Sequence, residues 1–236
     1  MRHICTRVLT VVAFAGLLSS PALTARLSAA DDGILPLTAK YKGLTYGEWM
    51  AVGWQEAFAI AVEKGSHPLI DGGAVSLNNR TVSLVPPVVN EGTPRVTIPV
   101  TIPPGQHLSV WIIGVECSVA EAPPFHGENE ADLRVCANGL LDEATDLSVA
   151  IDGKPVKNPG AYRAQSPLFR YGPLPAGNYL SLPPGTQSDA IAAGYSLLLS
   201  PLSVGVHRIT VRASVPAFGV AVDARFIINV EPAHGK

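Results

Sequence analysis

The sequence predicts a mainly β protein: an antiparallel β-sandwich of immunoglobulin-like or jelly-roll type, with one helix before it and one helix inserted. Three observations support this fold class. Apolar and polar residues alternate with a period of two through most of the second half of the chain. The 22 glycines and 21 prolines supply frequent turns. Only two stretches have a helical period. With 236 residues, 47% of them hydrophobic, we expect one core and a single helix-plus-β-sandwich domain over residues 45–236.

The first thirty residues have the order of an export signal. Arg2 and Arg7 precede an apolar run over 8–18, and small residues at 28–30 offer a cleavage point. This order predicts a signal peptide over 1–30, a lead-in segment over 31–44, and a periplasmic or extracellular protein. Cys5 precedes the apolar run, where no lipid-attachment cysteine would sit.

The charge of the mature chain limits its partners. Without the signal's three arginines, 14 basic residues stand against 19 acidic ones, which leaves a net charge near −5. A mildly acidic surface argues against nucleic acid as a partner. No second apolar run reaches membrane length, so we expect no transmembrane segment in the mature chain.

The first helix is predicted from its capping residues. Thr45 and Glu48 have the spacing of a capping box, in which each side chain bonds the other residue's backbone N–H. Gly65 suits the residue after a helix C-terminus, so we expect the helix to run to about Lys64. Its aromatic residues could stack on sugars as an exposed set, but their helical spacing favours core packing. They are Tyr46, Trp49, Trp54 and Phe58.

The strands are predicted from alternation and turn residues, in chain order. A strand over 81–84 follows a turn at 78–79. The strand over 95–102 contains Pro99, which cannot donate to a ladder, so we expect this strand at a sheet edge or with Pro99 facing out of the pairing. The stretch 108–116 is apolar on both faces, as in a central strand. Asp152-Gly153 predicts a two-residue hairpin. A strand over 195–199 precedes a C-terminal hairpin, 208–215 with 220–230, that has one apolar face.

The second helix begins after Asn129, a good N-cap residue, and places Cys136 on its apolar face. Cys117 and Cys136 are the two cysteines left after the signal. An even pair in an exported protein favours a disulfide, which would join this helix to the strand carrying Cys117. Two free buried thiols are the alternative.

An acidic segment precedes and opens the second helix, and it allows three interpretations. Oxygen-rich clusters suit Ca²⁺ in extracellular domains. A pair of carboxylates could also serve as a general acid and base. The third interpretation, a solvated loop with acids near a helix N-terminus, is favoured because the spacing matches no EF-hand loop. The candidate residues are Glu116, Glu121, His126, Glu128, Glu130 and Asp132.

A second candidate site is the proline-rich stretch 162–179. Sandwich loops often carry recognition residues. The candidate binding residues here are Arg163, Arg170, Tyr171 and Tyr179. A plain strand-plus-turn connection is the alternative, and it is favoured. No nucleophile elbow, zinc-helix, phosphate-loop or dinucleotide motif occurs.

The opening of the predicted domain resembles a group of exported bacterial proteins that begin with Tyr-Gly-Glu-Trp. That motif occupies residues 46–49 here, and Trp54-Gln55 follows. Where those proteins continue Trp-Trp-Gln-Trp, this chain has Gly53-Trp54-Gln55-Glu56. The likeness continues in short motifs such as Glu116-Cys117-Ser118 and Ile151-Asp152-Gly153. The resemblance implies a secreted bacterial protein and carries no activity and no functional residue.

Three function hypotheses follow. The first is a non-catalytic envelope or extracellular module without a cofactor that binds a ligand or partner, such as a glycan or an envelope protein. The second is a secreted hydrolase acting on polysaccharide or peptide, which requires two acids of the segment to converge in a pocket, one with a raised pKa. The third is a structural or assembly protein that pairs through an edge strand.

Overall fold

The computed structural model describes residues 33–77 and 81–232. The predicted signal peptide and the turn at 78–79 lie outside these residues. Within the described residues three α-helices are formed: α1 (Tyr46–Phe58), α2 (Pro68–Asp71) and α3 (Glu130–Asp142). The strands are β1 (Gly73–Leu77), β2 (Thr81–Val85), β3 (Val89–Asn90), β4 (Val96–Ile102), β5 (His107–Ser118), β6 (Thr145–Ile151), β7 (Lys154–Pro155), β8 (Arg163–Gln165), β9 (Phe169–Tyr171), β10 (Ser188–Leu199), β11 (Gly205–Val215) and β12 (Val220–Val230).

The strands form two sheets in a sandwich-like, mainly β arrangement. Sheet I has the order β1-β2-β5-β10-β8, and β9 also pairs with β10. Sheet II has the order β3-β12-β11-β6-β7, and β4 also pairs with β12. The large core between the sheets contains the apolar faces of β11 and β12, with Phe226 and Val211 fully buried. Ile34 of the predicted lead-in segment joins this core and bridges Leu199.

Most pairings are antiparallel, as predicted, and two pairings are parallel. β2 runs parallel to β5, and β4 runs parallel to β12. Among the described strands β4 pairs only with β12, which confirms the edge position predicted from Pro99. The Asp152-Gly153 hairpin is confirmed between β6 and β7, with positive φ angles at both turn residues. The C-terminal hairpin is confirmed as β11 with β12.

Helix α1 packs on the outer face of sheet I and forms a second core there. Trp49, Phe58 and Trp111 belong to this core. All five residues of β2 are buried, including Thr81 and Ser83, the polar positions that alternate with Val82 and Leu84. The fold therefore has a helical layer outside sheet I, because α1 covers the face that a two-layer sandwich would leave exposed to solvent.

The N-terminus of α1 is confirmed, and its predicted end is wrong. Thr45 and Glu48 form both bonds of the capping box. The helix ends at Phe58 and not near Lys64, because the chain beyond it makes other hydrogen bonds. The ring of His67 bonds the Ala57 carbonyl at 3.1 Å, and the N–H of Val62 donates to the Gly177 carbonyl at 2.8 Å.

Helix α3 begins after Asn129, whose side chain caps two backbone N–H groups as predicted. Its buried residues Leu133, Ala137 and Leu141 face the core between the sheets. Cys117 of β5 and Cys136 of α3 are at disulfide distance, with sulfur atoms 2.03 Å apart. The bond attaches α3 to the end of sheet I.

Candidate functional site

A β-bulge in β5 decides which side chains face α1. Opposite β10, Tyr195 pairs with Ile113 and Ser196 with Trp111, so Ile112 is an extra residue. Trp111 faces α1 before the bulge. Beyond it Glu116 pairs with Ala192, which also lies in the α1-side core. Without the bulge, the period of two would have placed Glu116 on the inner face of the sheet.

Glu116 lies in a cleft beside the free edge of β5. The pairing of β2 with β5 ends at Val110, and the chain of β2 then leaves through Pro86. A cavity of about 250 Å³ opens at this edge. Its walls are largely apolar, with five aromatic residues, and its polar groups include two carboxyls. The aromatic residues are Trp54, Phe58, Trp111, Phe125 and Tyr179, and the carboxyls are those of Glu116 and Glu121. We call this cavity the carboxyl cleft.

The aromatic walls of the carboxyl cleft pack against one another. The ring centroids of Trp54 and Trp111 are 4.9 Å apart, and those of Trp54 and Phe58 are 5.2 Å apart. Tyr179 stacks on His67 at 5.2 Å and is 38% exposed, so it lies at the mouth. The prediction of core packing therefore holds for Tyr46 and Trp49, whereas Trp54 and Phe58 are buried and also line the cleft.

The two carboxyls form a hydrogen-bonded pair at the base of the carboxyl cleft. Glu116 is only 5% exposed, and burial together with the neighbouring charge of Glu121 raises its pKa well above the usual range. Burial also raises the pKa of Glu121. Two carboxylates in contact in an apolar site cannot both ionise cheaply, so the pair retains one proton and carries one negative charge.

A chain of hydroxyls fixes the position of Glu121. The Ser118 hydroxyl donates to Oε2 of Glu121 at 2.8 Å. The Tyr171 hydroxyl lies 3.0 Å from that of Ser118 and donates to it, since the hydrogen of Ser118 is already engaged. Tyr171 is 1% exposed, and burial raises its pKa to about 12. Tyr171 therefore stays a hydrogen-bond donor at neutral pH.

Two residues that line the carboxyl cleft each have a buried polar atom without a hydrogen-bond partner. The two atoms are Oε1 of Glu116 and Nε1 of Trp54. Most buried polar side-chain atoms in folded proteins are paired, and an unpaired one costs about 1–3 kcal/mol. One is an acceptor and the other is a donor. A bound molecule that both donates and accepts would satisfy the two atoms.

The structure divides the acidic segment in two. Glu116 and Glu121 meet in the carboxyl cleft, so the solvated-loop interpretation is wrong for these two. Glu128, Glu130 and Asp132 are exposed around the N-terminus of α3, as that interpretation predicts. Glu130 pairs with Arg134 at 2.6 Å, and Asp132 accepts from the Asn129 side chain at 2.7 Å.

His126 does not join the carboxyl pair. Its backbone bridges Ser118, which holds the 121–127 loop against the end of β5. Within residues 33–77 and 81–232, no three His, Cys, Asp or Glu side chains are arranged to hold a metal ion. The Ca²⁺ hypothesis therefore stays a prediction without a ligand set in the described chain.

The stretch 162–179 is also divided. Tyr171 and Tyr179 reach the carboxyl cleft, the first through Ser118 and the second at the mouth. Arg163 instead pairs with Asp142 of α3 at 2.6 Å. Arg170 lies near Asp189 at 3.4 Å, on the surface. The structure does not bring these four residues together as one binding loop.

A second constellation has the order of contacts of a serine-hydrolase triad. Oγ of Ser203 lies 3.2 Å from Nε2 of His207, and Nδ1 of His207 lies 2.7 Å from Oδ2 of Asp152. However, Nε2 also lies 2.9 Å from the backbone carbonyl of Ser203. Both ring nitrogens thus face acceptors, which favours an imidazolium that donates to each. A protonated ring cannot serve as the general base of such a triad.

The structure therefore indicates a structural role for this constellation. Asp152 also accepts from the Arg208 N–H at 2.8 Å, so its carboxylate ties the β6–β7 turn to the start of β11. Burial alone would lower the pKa of His207. The bonds to Asp152 and to the Ser203 carbonyl outweigh it and raise that pKa.

Comparison with protein-family models, curated proteins and solved structures found no match. The resemblance to exported proteins with a Tyr-Gly-Glu-Trp opening therefore stays a prediction. None of the helices in the described parts of the chain has the length and hydropathy needed to span a membrane.

Proposed function

We propose that the protein is a non-catalytic binding module that holds a small, uncharged, hydroxylated ligand in the carboxyl cleft. The observation that carries this proposal is the pair of unsatisfied buried atoms, Oε1 of Glu116 and Nε1 of Trp54. A hydroxyl group donates to one and accepts from the other. An ammonium ion could only donate and would leave Trp54 unpaired, and an anion would be repelled by the charge of the carboxyl pair.

The walls of the carboxyl cleft favour a glycan as the hydroxylated ligand. Sugars carry many hydroxyls around a ring that has apolar faces, and aromatic rings such as Trp54, Trp111 and Tyr179 offer apolar surfaces of matching size. A largely apolar pocket with a few convergent polar groups is the usual form of a small-molecule site. The proton held between Glu116 and Glu121 keeps one carboxyl neutral, so Oε1 of Glu116 is offered to the ligand as an acceptor.

A glycan-binding screen with two point variants tests the proposal. Trp54→Phe keeps the aromatic wall and removes only the N–H donor, and Glu116→Ala removes the acceptor. We expect neutral mono- and disaccharides to bind by calorimetry, and each variant to weaken binding about tenfold. The control is Glu130→Gln, an exposed acid outside the cleft. Absence of binding by every neutral sugar, or equal affinity in all variants, would contradict the proposal.

Peptide hydrolysis is the second candidate function, because two acids converge in a pocket with raised pKa values, as the hydrolase hypothesis requires. Two-carboxylate glycosidases hold these groups at least about 5 Å apart, which excludes that mechanism for a pair in hydrogen-bond contact. Aspartic proteases use a pair that shares one proton. Peptide cleavage that is lost in both Glu116→Gln and Glu121→Gln would support this function, and an intact peptide library would oppose it.

The fold type and cellular setting belong to the same proposal. We propose an exported envelope or extracellular protein with an immunoglobulin-like or jelly-roll sandwich. The Cys117–Cys136 pair supports export because disulfides persist in oxidising compartments. The assembly hypothesis has a concrete surface in the edge strand β4. A molar mass that rises with concentration in light scattering would support assembly, and a constant monomer mass would oppose it.

A further inference from the structure

A second cavity lies beside the carboxyl cleft. It has a volume of about 340 Å³ and lies between the edge of β5, the end of α3 and the β11–β12 turn. Both cavities are lined by the same stretch of β5, from Ile113 to Val115, and by Val88 and Phe125. The two cavities are therefore adjacent, and together we call them the groove. We call the second cavity the apolar arm.

The apolar arm differs from the carboxyl cleft in its chemistry. Its own walls include Leu140, Ala144, Val215, Phe218 and Val220, and no charged side chain lines it. Phe218 is 50% exposed, as is Val88 at the junction of the two cavities. Large apolar side chains left open to water beside a cavity mark a binding surface. The groove thus has a polar end at the carboxyl pair and a hydrocarbon-like end.

We propose that the ligand is an amphiphile with one hydrocarbon chain, whose hydroxylated head lies in the carboxyl cleft and whose chain lies in the apolar arm. This inference rests on the proposed function, since it assigns the head to the same site. The adjacency of the two cavities, which share five lining residues, supports a single occupant. A purely polar sugar would leave the apolar arm filled with water. A hydrocarbon without hydroxyls would leave Oε1 of Glu116 and Nε1 of Trp54 without hydrogen-bond partners.

Alkyl glucosides of increasing chain length test the inference, with glucose as the head alone and 1-octanol as the chain. Each is titrated below its critical micelle concentration by calorimetry. We expect affinity to rise about two- to fourfold for each methylene until the arm is full. We expect 1-octanol to bind more weakly than octyl glucoside, because its single hydroxyl satisfies fewer polar groups.

Two variants test whether the alkyl chain of the ligand binds in the apolar arm. Ala144→Phe fills the arm and should abolish the gain with chain length while leaving glucose affinity unchanged. Phe218→Ala opens the arm and should reduce the gain for each methylene, which keeps the test informative if Ala144→Phe fails to fold. The control is Val135→Ala, which removes an apolar side chain that is 74% exposed on α3 and lies outside the groove.

The outcomes separate this inference from the proposed function. Glucose binding without any gain from the alkyl chain would overturn the amphiphile and leave the carboxyl cleft as a sugar site. A chain-length gain that persists unchanged in Ala144→Phe would place the chain elsewhere and overturn the assignment of the arm. Octyl ammonium binding as tightly as octyl glucoside would overturn the hydroxylated head, and with it the proposed function.

Discussion

Replacing Glu116 with Gln should stabilise the protein at high pH. Glu116 is 5% exposed and is in hydrogen-bond contact with Glu121. At high pH the folded protein must either hold a proton that the unfolded chain has released or bear two charges in contact, which at about 4 Å repel by about 4 kcal/mol at an effective dielectric constant of about 20. The amide removes one charge and can donate to the Glu121 carboxylate. We therefore expect the free energy of unfolding to rise by about 2–4 kcal/mol near pH 8.5.

The sign of the pH dependence follows from the raised pKa values. In the unfolded chain Glu116 titrates near 4.5, whereas in the folded chain it holds its proton to higher pH. Between these two values the folded state binds more protons, so stability falls as pH rises. Below about pH 4.5 both states are protonated, and we expect Glu116→Gln to change stability there by less than about 1 kcal/mol.

Urea unfolding followed by tryptophan fluorescence measures this effect, since Trp54 and Trp111 line the cleft beside the pair. The stability difference between variant and wild type is plotted from about pH 4.5 to about pH 8.5. The control is Glu130→Gln, an exposed acid paired with Arg134, which should shift stability by no more than about 1 kcal/mol. A Glu116→Gln variant that is no more stable than wild type near pH 8.5 would refute a buried pair of acids.

Four further predictions concern the rest of the fold. Gly47→Ala should lower the free energy of unfolding by about 2 kcal/mol or more in a urea titration, because the added Cβ would overlap the Gln165 carbonyl oxygen. Gly139→Ala is the control and should not lower it, because the space around Gly139 is open. The double variant Cys117→Ala/Cys136→Ala should lower the free energy of unfolding by about 2–4 kcal/mol, since it opens a loop spanning 19 residues; equal stability would mean that the bond is not formed. His207→Gln should lower the free energy of unfolding by up to about 1 kcal/mol near pH 5.5 and by less near pH 9. The raised pKa of His207 stabilises the folded state below about pH 6.5, and this stabilisation is lost as the pH rises through the pKa of the folded state. A larger loss at pH 9 would contradict the positive charge assigned to His207. A fluorophosphonate probe should leave Ser203 unlabelled in intact-mass analysis, because the Ser203 carbonyl holds the His207 ring as a hydrogen-bond donor. Labelling of Ser203 would instead support a catalytic triad.

Much of the fold could be predicted because it depends on local patterns. The capping box at Thr45, the N-cap at Asn129 and the Asp152-Gly153 turn each use interactions within a few residues. The C-terminal hairpin alternates without interruption, so its register is fixed by its apolar face. Pro99 was placed correctly because a missing N–H restricts a strand whatever the surroundings.

The errors occur where distant parts of the chain decide the outcome. The end of α1 depends on His67 and Gly177, which compete for its last turn from other segments. The outer face of sheet I is covered by α1, whose Trp49 shares a core with Val75 and Leu198 of that sheet. A sequence pattern cannot show which face of a sheet receives a helix.

The carboxyl cleft could be predicted only in part. Glu116 and Glu121 were among the candidates, but the bulge at Ile112 turns Glu116 toward α1, and no period-two pattern contains it. Trp54 and Trp111 were not predicted to line a cleft. The helical spacing of Trp54 favoured core packing, and Trp111 lay within an apolar strand. Trp54 is in fact both packed and at the cleft wall.

The central claim is that Glu116 and Glu121 share one proton inside a cleft. Carbon-13 NMR of the glutamate side-chain carboxyls, titrated from acid to alkaline pH and assigned with Glu116→Gln and Glu121→Gln, measures it directly. The account predicts that one carboxyl of the pair stays protonated well above pH 4.5 and that removing either residue changes the titration of the other. Two independent titrations near pH 4.5 would contradict it.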